Sequence, residues 1–187
     1  MDDRSEIFLL LLFQHHRERE RGRERMARGM LEVFLVDAKG LNNTELMGKM
    51  DPYVLIQCRG HESKSSVARG QGSNPKWNEK FIFPVHFPKV DDPCKLVLRI
   101  LDEDTFSNDD FVGETTIYLT DLILSGEVNG VAEEKVRPYN VLLADRTYGG
   151  QIRVGLTFTF TGEDTEVQKS CADPEEEFGG WKHSSLD

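Results

Sequence analysis

Leu101-Asp-Glu-Asp-Thr-Phe-Ser-Asn-Asp-Asp-Phe-Val-Gly-Glu114 joins the end of one alternating apolar run, residues 96–101, to the start of another, residues 111–119. Asp, Asn and Ser favour turns because their short side chains bond the nearby backbone, so the stretch reads as two strands and the loop between them. Working outward, β-type runs recur at residues 31–36, 53–58, 63–68, 77–83, 139–143 and 151–160. In the last of these Ile152, Val154, Leu156, Phe158 and Phe160 share one face, the period-2 signature of a half-buried strand. Residues 121–136 predict one short helix, its length limited by Gly126 and Gly130. The expected class is all-β, an eight-stranded antiparallel β-sandwich.

The strand reading gives the acidic residues addresses. Glu45 and Asp51 fall between the first two strands, with Gly48 supplying flexibility there, and Asp102, Asp104 and Asp110 fall between the fifth and sixth. Both loops are expected at one end of the sandwich. Crowded carboxylates repel one another and need a compensating cation, and a hard, oxygen-only donor set suits Ca2+.

Net charge sharpens this. The chain carries −10, but residues 1–25 hold six acids and six bases, and residues 161–187 hold eight acids against Lys169 and Lys182. The middle has 19 acids and 15 bases, a balance of −4. Seven of those acids are Glu45, Asp51, Asp102, Glu103, Asp104, Asp109 and Asp110, without which the middle would be +3. The acidity is concentrated rather than spread, and the overall sign opposes nonspecific nucleic-acid binding.

The ends are expected to lie outside the fold. Residues 7–13 form a seven-residue apolar run, far below the roughly 20 residues that span a bilayer. Asp2, Asp3 and Glu6 precede it and no small-x-small cleavage site follows, which opposes a signal peptide. The Arg17-Glu-Arg-Glu-Arg-Gly-Arg-Glu-Arg25 alternation suits a charged helix, disorder or a translated GA-repeat leader, with Met26 or Met30 as the natural start. The expected organisation is a leader at 1–28, one domain at 29–160 and an acidic, largely disordered tail at 161–187. Cys58, Cys94 and Cys171 are an odd number without C-x-x-C spacing, expected as reduced intracellular thiols, with Cys58 and Cys94 packing as small apolar residues.

Three stretches in order, Leu41-Asn-Asn-Thr-Glu-Leu-Met-Gly-Lys-Met-Asp-Pro-Tyr-Val54, Asn74-Pro-Lys-Trp-Asn-Glu-Lys-Phe-Ile-Phe83 and the quoted 101–114, resemble the C2 domain family of Ca2+-dependent phospholipid-binding β-sandwiches. Single-domain length and the closing Phe178-Gly-Gly-Trp-Lys182 are similar to the small plant single-C2-domain proteins of the elicitor-responsive protein 3 group. The resemblance implies Ca2+ ligands at Glu45, Asp51, Asp102, Asp104 and Asp110, a hydroxyl at Ser107 and backbone carbonyls such as that of Glu103. Glu45 departs from the family's usual Asp, so one ion is expected and the second depends on that longer side chain. Leu46, Met47 and Phe106 occupy positions where the family places membrane-dipping residues, worth a few kcal/mol at about 25 cal/mol per Å2 buried. The first strand runs straight into the ligand loop, which favours the type II permutation.

Blander readings cover most other motifs. Trp77, Tyr53 and Phe83 are framework residues, Pro52 starts a strand, and His61 and His86 stand without a neighbouring acid or nucleophile in pattern. Lys64, Arg69, Lys76 and Lys80 could form a phosphoinositide strip but are more often ordinary surface. The Asn42-Asn-Thr44 sequon matters only in a secreted chain. With no G-x-S-x-G, P-loop or nucleophile set, no enzyme is expected. The expected function is a cytoplasmic signalling module, in defence or stress, recruited to the anionic phospholipid surface of the plasma membrane as Ca2+ rises. The alternative is a Ca2+-independent adaptor for protein partners with a degenerate ion site.

Overall fold

The computed structural model describes residues 26–45, 48–88, 94–104 and 108–164. Eight antiparallel strands carry the chain: β1 (Met26–Lys39), β2 (Pro52–Cys58), β3 (His61–Lys64), β4 (Lys76–Pro88), β5 (Lys95–Asp102), β6 (Asp110–Tyr118), β7 (Val131–Leu142) and β8 (Tyr148–Asp164). Their order is β3-β2-β5-β6-β7-β8-β1-β4. β6 and β7 meet at the single pair Glu114 and Leu142, whereas every other junction is a ladder of four or more pairs. That weak seam is where the sheet turns over into two four-stranded halves of a sandwich.

The core follows the period-2 rule. Leu31, Val33 and Leu35 of β1, Val54 and Ile56 of β2, Leu96, Leu98 and Ile100 of β5, and Ile152, Val154, Leu156 and Phe158 of β8 are all buried. β1 is central to its half, pairing along its length with both β4 and β8. A bulge between Leu35 and Asp37 shifts the register, so that Ala38 takes the inward place opposite Ile152 and Asp37 lies opposite Arg153, where it is only 3% exposed. There Arg153, its cross-strand partner on β8, grips it through both guanidinium donors, Nε to Oδ1 at 2.6 Å and Nη2 to Oδ2 at 2.5 Å. That hydrogen-bonded charge holds the Asp37 carboxyl below its ordinary value against the opposing effect of burial.

The helix is shorter than the sequence reading allows. α1 spans Thr120–Asn129 and runs through Gly126, with Gly130 ending it at φ 80°. Residues 131–138 then belong to β7, whose mostly exposed face carries Glu133, Lys135 and Arg137 and gives no alternation to detect. Gly126 has a packing role: a Cβ there would sit 2.5 Å from Cδ1 of Phe158, and one at Gly29 would overlap the same ring. The two glycines make room for the aromatic that joins α1 to the sheet.

β3 is also shorter than expected. Residues 65–68 leave the strand and run beside β2, where Ser65 and Ala68 donate to the carbonyls of Val54 and Pro52. Cys58 and Cys94 are buried next to each other, and a hydrogen bond to Cys94 together with burial pushes the Cys58 thiol up, away from reactivity. Residues 26–28 and 161–164, expected in the leader and the tail, belong instead to β1 and β8, while Cys171 and the rest of the expected leader and tail, residues 1–25 and 165–187, lie outside the described residues. No helix among the described residues is long and apolar enough to cross a membrane.

Candidate metal centre

Register brings the acids together. Pro52 pairs with Asp102 on β5, and Asp102 pairs with Asp110 on β6, so Asp51, Asp102 and Asp110 lie across the ends of three adjacent strands. Asp102 continues the inward face of Leu96, Leu98 and Ile100, and the period-2 rule that buries those residues leaves it only 1% exposed. A carboxylate at that position must be bonded. Its Oδ1 accepts from the Asp51 amide at 2.6 Å and its Oδ2 from the Thr44 hydroxyl at 3.0 Å.

The loop between β1 and β2 is anchored from within. Leu41 and Met50 are buried, the Leu41 amide donates to Ser73 and the Gly40 amide to the Asn74 side chain. Trp77 is buried and donates from Nε1 to the Pro52 carbonyl, so it is a brace as the sequence reading expects. The turn through Ser73 and Asn74 and the start of β4 at Trp77 therefore hold the base of the acidic loop.

Electrostatics records the crowding. Burial pushes the Asp102 carboxyl up, the Asp51 and Thr44 hydrogen bonds oppose this, and repulsion from Asp104 and Asp51 adds to it. Glu45 is also pushed up, by desolvation and by the negative charges of Asp102, Asp104 and Asp110, with a side-chain hydrogen bond to Asp104. Glu45, Asp51, Asp102, Asp104 and Asp110 thus share one end of the domain. The donor chemistry, oxygen only and strongly negative, fits a hard divalent cation. The geometry is not an assembled cage, since no three Asp, Glu, His or Cys side chains among the described residues are arranged to hold a metal ion.

Several of these carboxylates are already engaged. Asp51 Oδ1 accepts from the Gly70 amide at 2.5 Å, and its Oδ2 lies 3.8 Å from Arg69 Nη1. Arg69 Nη2 is 2.8 Å from Glu103 Oε2, while Lys64 lies 3.8 Å from Glu103 and 3.6 Å above the Tyr53 ring. Lys80 pairs with Glu32 at 2.8 Å. The basic residues singled out in the sequence are thus largely occupied by acids.

Ser107, Leu46, Met47 and Phe106 lie outside the described residues. Three positions escaped sequence reasoning. Thr44 bonds Asp102. Arg69 reaches Asp51 and Glu103 from the β3–β4 connection. Tyr53, read as framework, is buried and donates its hydroxyl to Asp109 Oδ2 at 2.6 Å, while Asp109 Oδ1 accepts from the Asp104 amide at 3.2 Å. Burial and the Asp109 carboxylate push the Tyr53 hydroxyl up to about 12, and the same bond, first among the causes, holds Asp109 below its ordinary value. The tyrosine pattern signalled a buried ring, but only the fold shows which loop its hydroxyl ties down.

Residues 29–133 match the family model described as C2 domain. Elicitor-responsive protein 1 of Oryza sativa subsp. japonica is 50% identical over 159 residues, covering 83% of this chain and 96% of that protein. Elicitor-responsive protein 3 of the same rice is 43% identical over 160 residues, covering 86% and 100% respectively. A solved C2 domain-containing protein superposes with a TM-score of 0.56 at 40% identity, covering 72% of this chain and 91% of that one.

Proposed function

This chain belongs to the C2 domain family, and on that premise we propose that it is a non-enzymatic module that docks on anionic phospholipid membranes when Ca2+ rises. The observation that carries the reading is the alignment of Asp51, Asp102 and Asp110 across β2, β5 and β6, with Asp102 buried and the Glu45 carboxyl raised by desolvation and then by its acidic neighbours. Asp51, Asp102, Asp104 and Asp110 would hold one ion, with the hydroxyl of Ser107, and Glu45 decides whether a second joins. Bound Ca2+ supplies positive charge and open positions for lipid phosphate oxygens. The chain's own residues provide the off state, because five ionised carboxylates repel an anionic surface. Leu46, Met47 and Phe106 would contribute apolar insertion, giving reversible docking.

The names of the two rice relatives support a place in defence or stress signalling, and the docking surface proposed is the plasma membrane seen from the cytoplasm. Neither relative carries an enzyme's name, in keeping with a binding role. A second reading, a Ca2+-independent adaptor for protein partners, is favoured by one observation: the described side chains are not arranged as a metal cage. Calorimetric titration separates the two. The ion-binding reading expects saturable Ca2+ heat below millimolar concentration, and a flat titration at millimolar ion would leave the adaptor.

A further inference from the structure

We propose that Arg69 is a resident counter-cation of the acidic loops, one that competes with the incoming dication for Asp51 and so sets the ion concentration at which the domain responds. The inference rests on the ion-binding reading above and names a residue outside its ligand set. Arg69 belongs to the β3–β4 connection, on neither acidic loop, yet its guanidinium bridges both: Nη1 lies 3.8 Å from Asp51 Oδ2 and Nη2 lies 2.8 Å from Glu103 Oε2. The next residue completes the clasp, since the Gly70 amide donates to Asp51 Oδ1 at 2.5 Å. One carboxylate of the candidate set is thus held on one oxygen by a backbone donor and faced on the other by a permanent positive charge.

The grip is built to be released. The Arg69 side chain is 71% exposed, so it can swing into solvent at little cost, and an exposed pair of this kind contributes little to stability by itself. Its effect falls instead on a competitor. A dication drawn to Asp51 meets a like charge a few ångströms away, and it gains the carboxylate fully only when the guanidinium leaves. Coulomb repulsion at such separations, weakened by surrounding water and salt, corresponds to about threefold to tenfold in affinity. Glu103 keeps the displaced arginine nearby, so the clasp re-forms when the ion departs. In the ion-free state the same charge offsets part of the repulsion that Asp51 and Asp104 exert on Asp102.

The test is Ca2+ titration calorimetry on the full chain, comparing the wild type with Arg69→Gln and with Lys95→Gln. Lys95 is exposed at the opposite end of β5, so it makes the same change in net charge away from the cluster. The expected result is binding about threefold to tenfold tighter in Arg69→Gln and unchanged in Lys95→Gln. Thermal melts give a second readout: in chelator Arg69→Gln melts below the wild type, and its rise in melting temperature on adding Ca2+ is larger. Equal or weaker binding in Arg69→Gln, with the wild type still binding, overturns the counter-cation and leaves the ion-binding reading standing. An equal gain in Lys95→Gln overturns it as well, assigning the effect to net charge. No heat from any of the three proteins overturns both.

Discussion

Asp102→Asn combined with Asp104→Asn is expected to lower Ca2+ affinity by at least about 100-fold and to abolish Ca2+-dependent pelleting with liposomes, while the fold stays intact. The two changes remove charge from the ligand set with almost no change of shape. Asparagine at 102 keeps an oxygen to accept the Asp51 amide, and the Thr44 hydroxyl can rotate to accept from the new amide nitrogen, so the buried position stays bonded. Ion-free stability moves the other way. The Asp102 carboxyl is raised above 3.8 by burial, so its ionised form costs the fold at neutral pH, and the cost lifts as pH falls through the folded-state value. The variant should therefore melt at or above the wild type in chelator at pH 7. Its advantage should shrink on acidification and disappear below 3.8, where the carboxyl is protonated in folded and unfolded chains alike. Denaturation followed by circular dichroism in chelator reads this. A large drop in melting temperature would mean that Asp102 serves the fold before it serves an ion.

Phe158→Ala is expected to destabilise the domain by about 3–5 kcal/mol, lowering the melting temperature by about 10–20 °C. Phe158 is 1% exposed, and its ring lies where Gly29 of β1 and Gly126 of α1 lack side chains. Neither neighbour has atoms to move into the void, so the cavity collapses poorly and the upper part of the range applies. Gly126→Ala alone sets two effects against each other. Helix propensity favours alanine by about 1 kcal/mol, but a Cβ 2.5 Å from Cδ1 of Phe158 overpacks the contact at about 1–3 kcal/mol, so the single change should still destabilise. In the Phe158→Ala background the clash is gone, and the same methyl should recover part of the loss. Additive effects in this cycle would contradict the proposed packing of α1 on β8.

The elements that could be read from the sequence are those whose reasons are local. Alternation in Leu96, Leu98 and Ile100 and in Ile152 to Phe160, with turn residues between, is enough to mark β5 and β8. The two acidic loops follow from those strand ends. β7 was visible only from residue 139, because its first half pairs with β8 while its side chains face water, leaving backbone hydrogen bonds that no side-chain pattern reports. Gly126 reads as a helix breaker until Phe158, 32 positions later, is placed against it.

In the candidate site the pattern is similar. The acids announce themselves by clustering in sequence, and their alignment across β2, β5 and β6 is a property of register. Arg69 and Tyr53 carry no such signal, since one looks like a surface cation and the other like a core ring. Their partners, Glu103 and Asp109, are 34 and 56 residues away. The same holds for Asp37 and Arg153, a bidentate pair separated by 116 residues that a one-residue bulge sets opposite each other.

The central claim is that a divalent ion turns a repulsive carboxylate surface into one that holds an anionic membrane. Sedimentation of the full chain with liposomes containing phosphatidylserine, in Ca2+ and in chelator, tests it most directly. The account predicts pelleting with Ca2+, its loss in chelator and its absence with purely zwitterionic liposomes; equal pelleting in Ca2+ and chelator would contradict it.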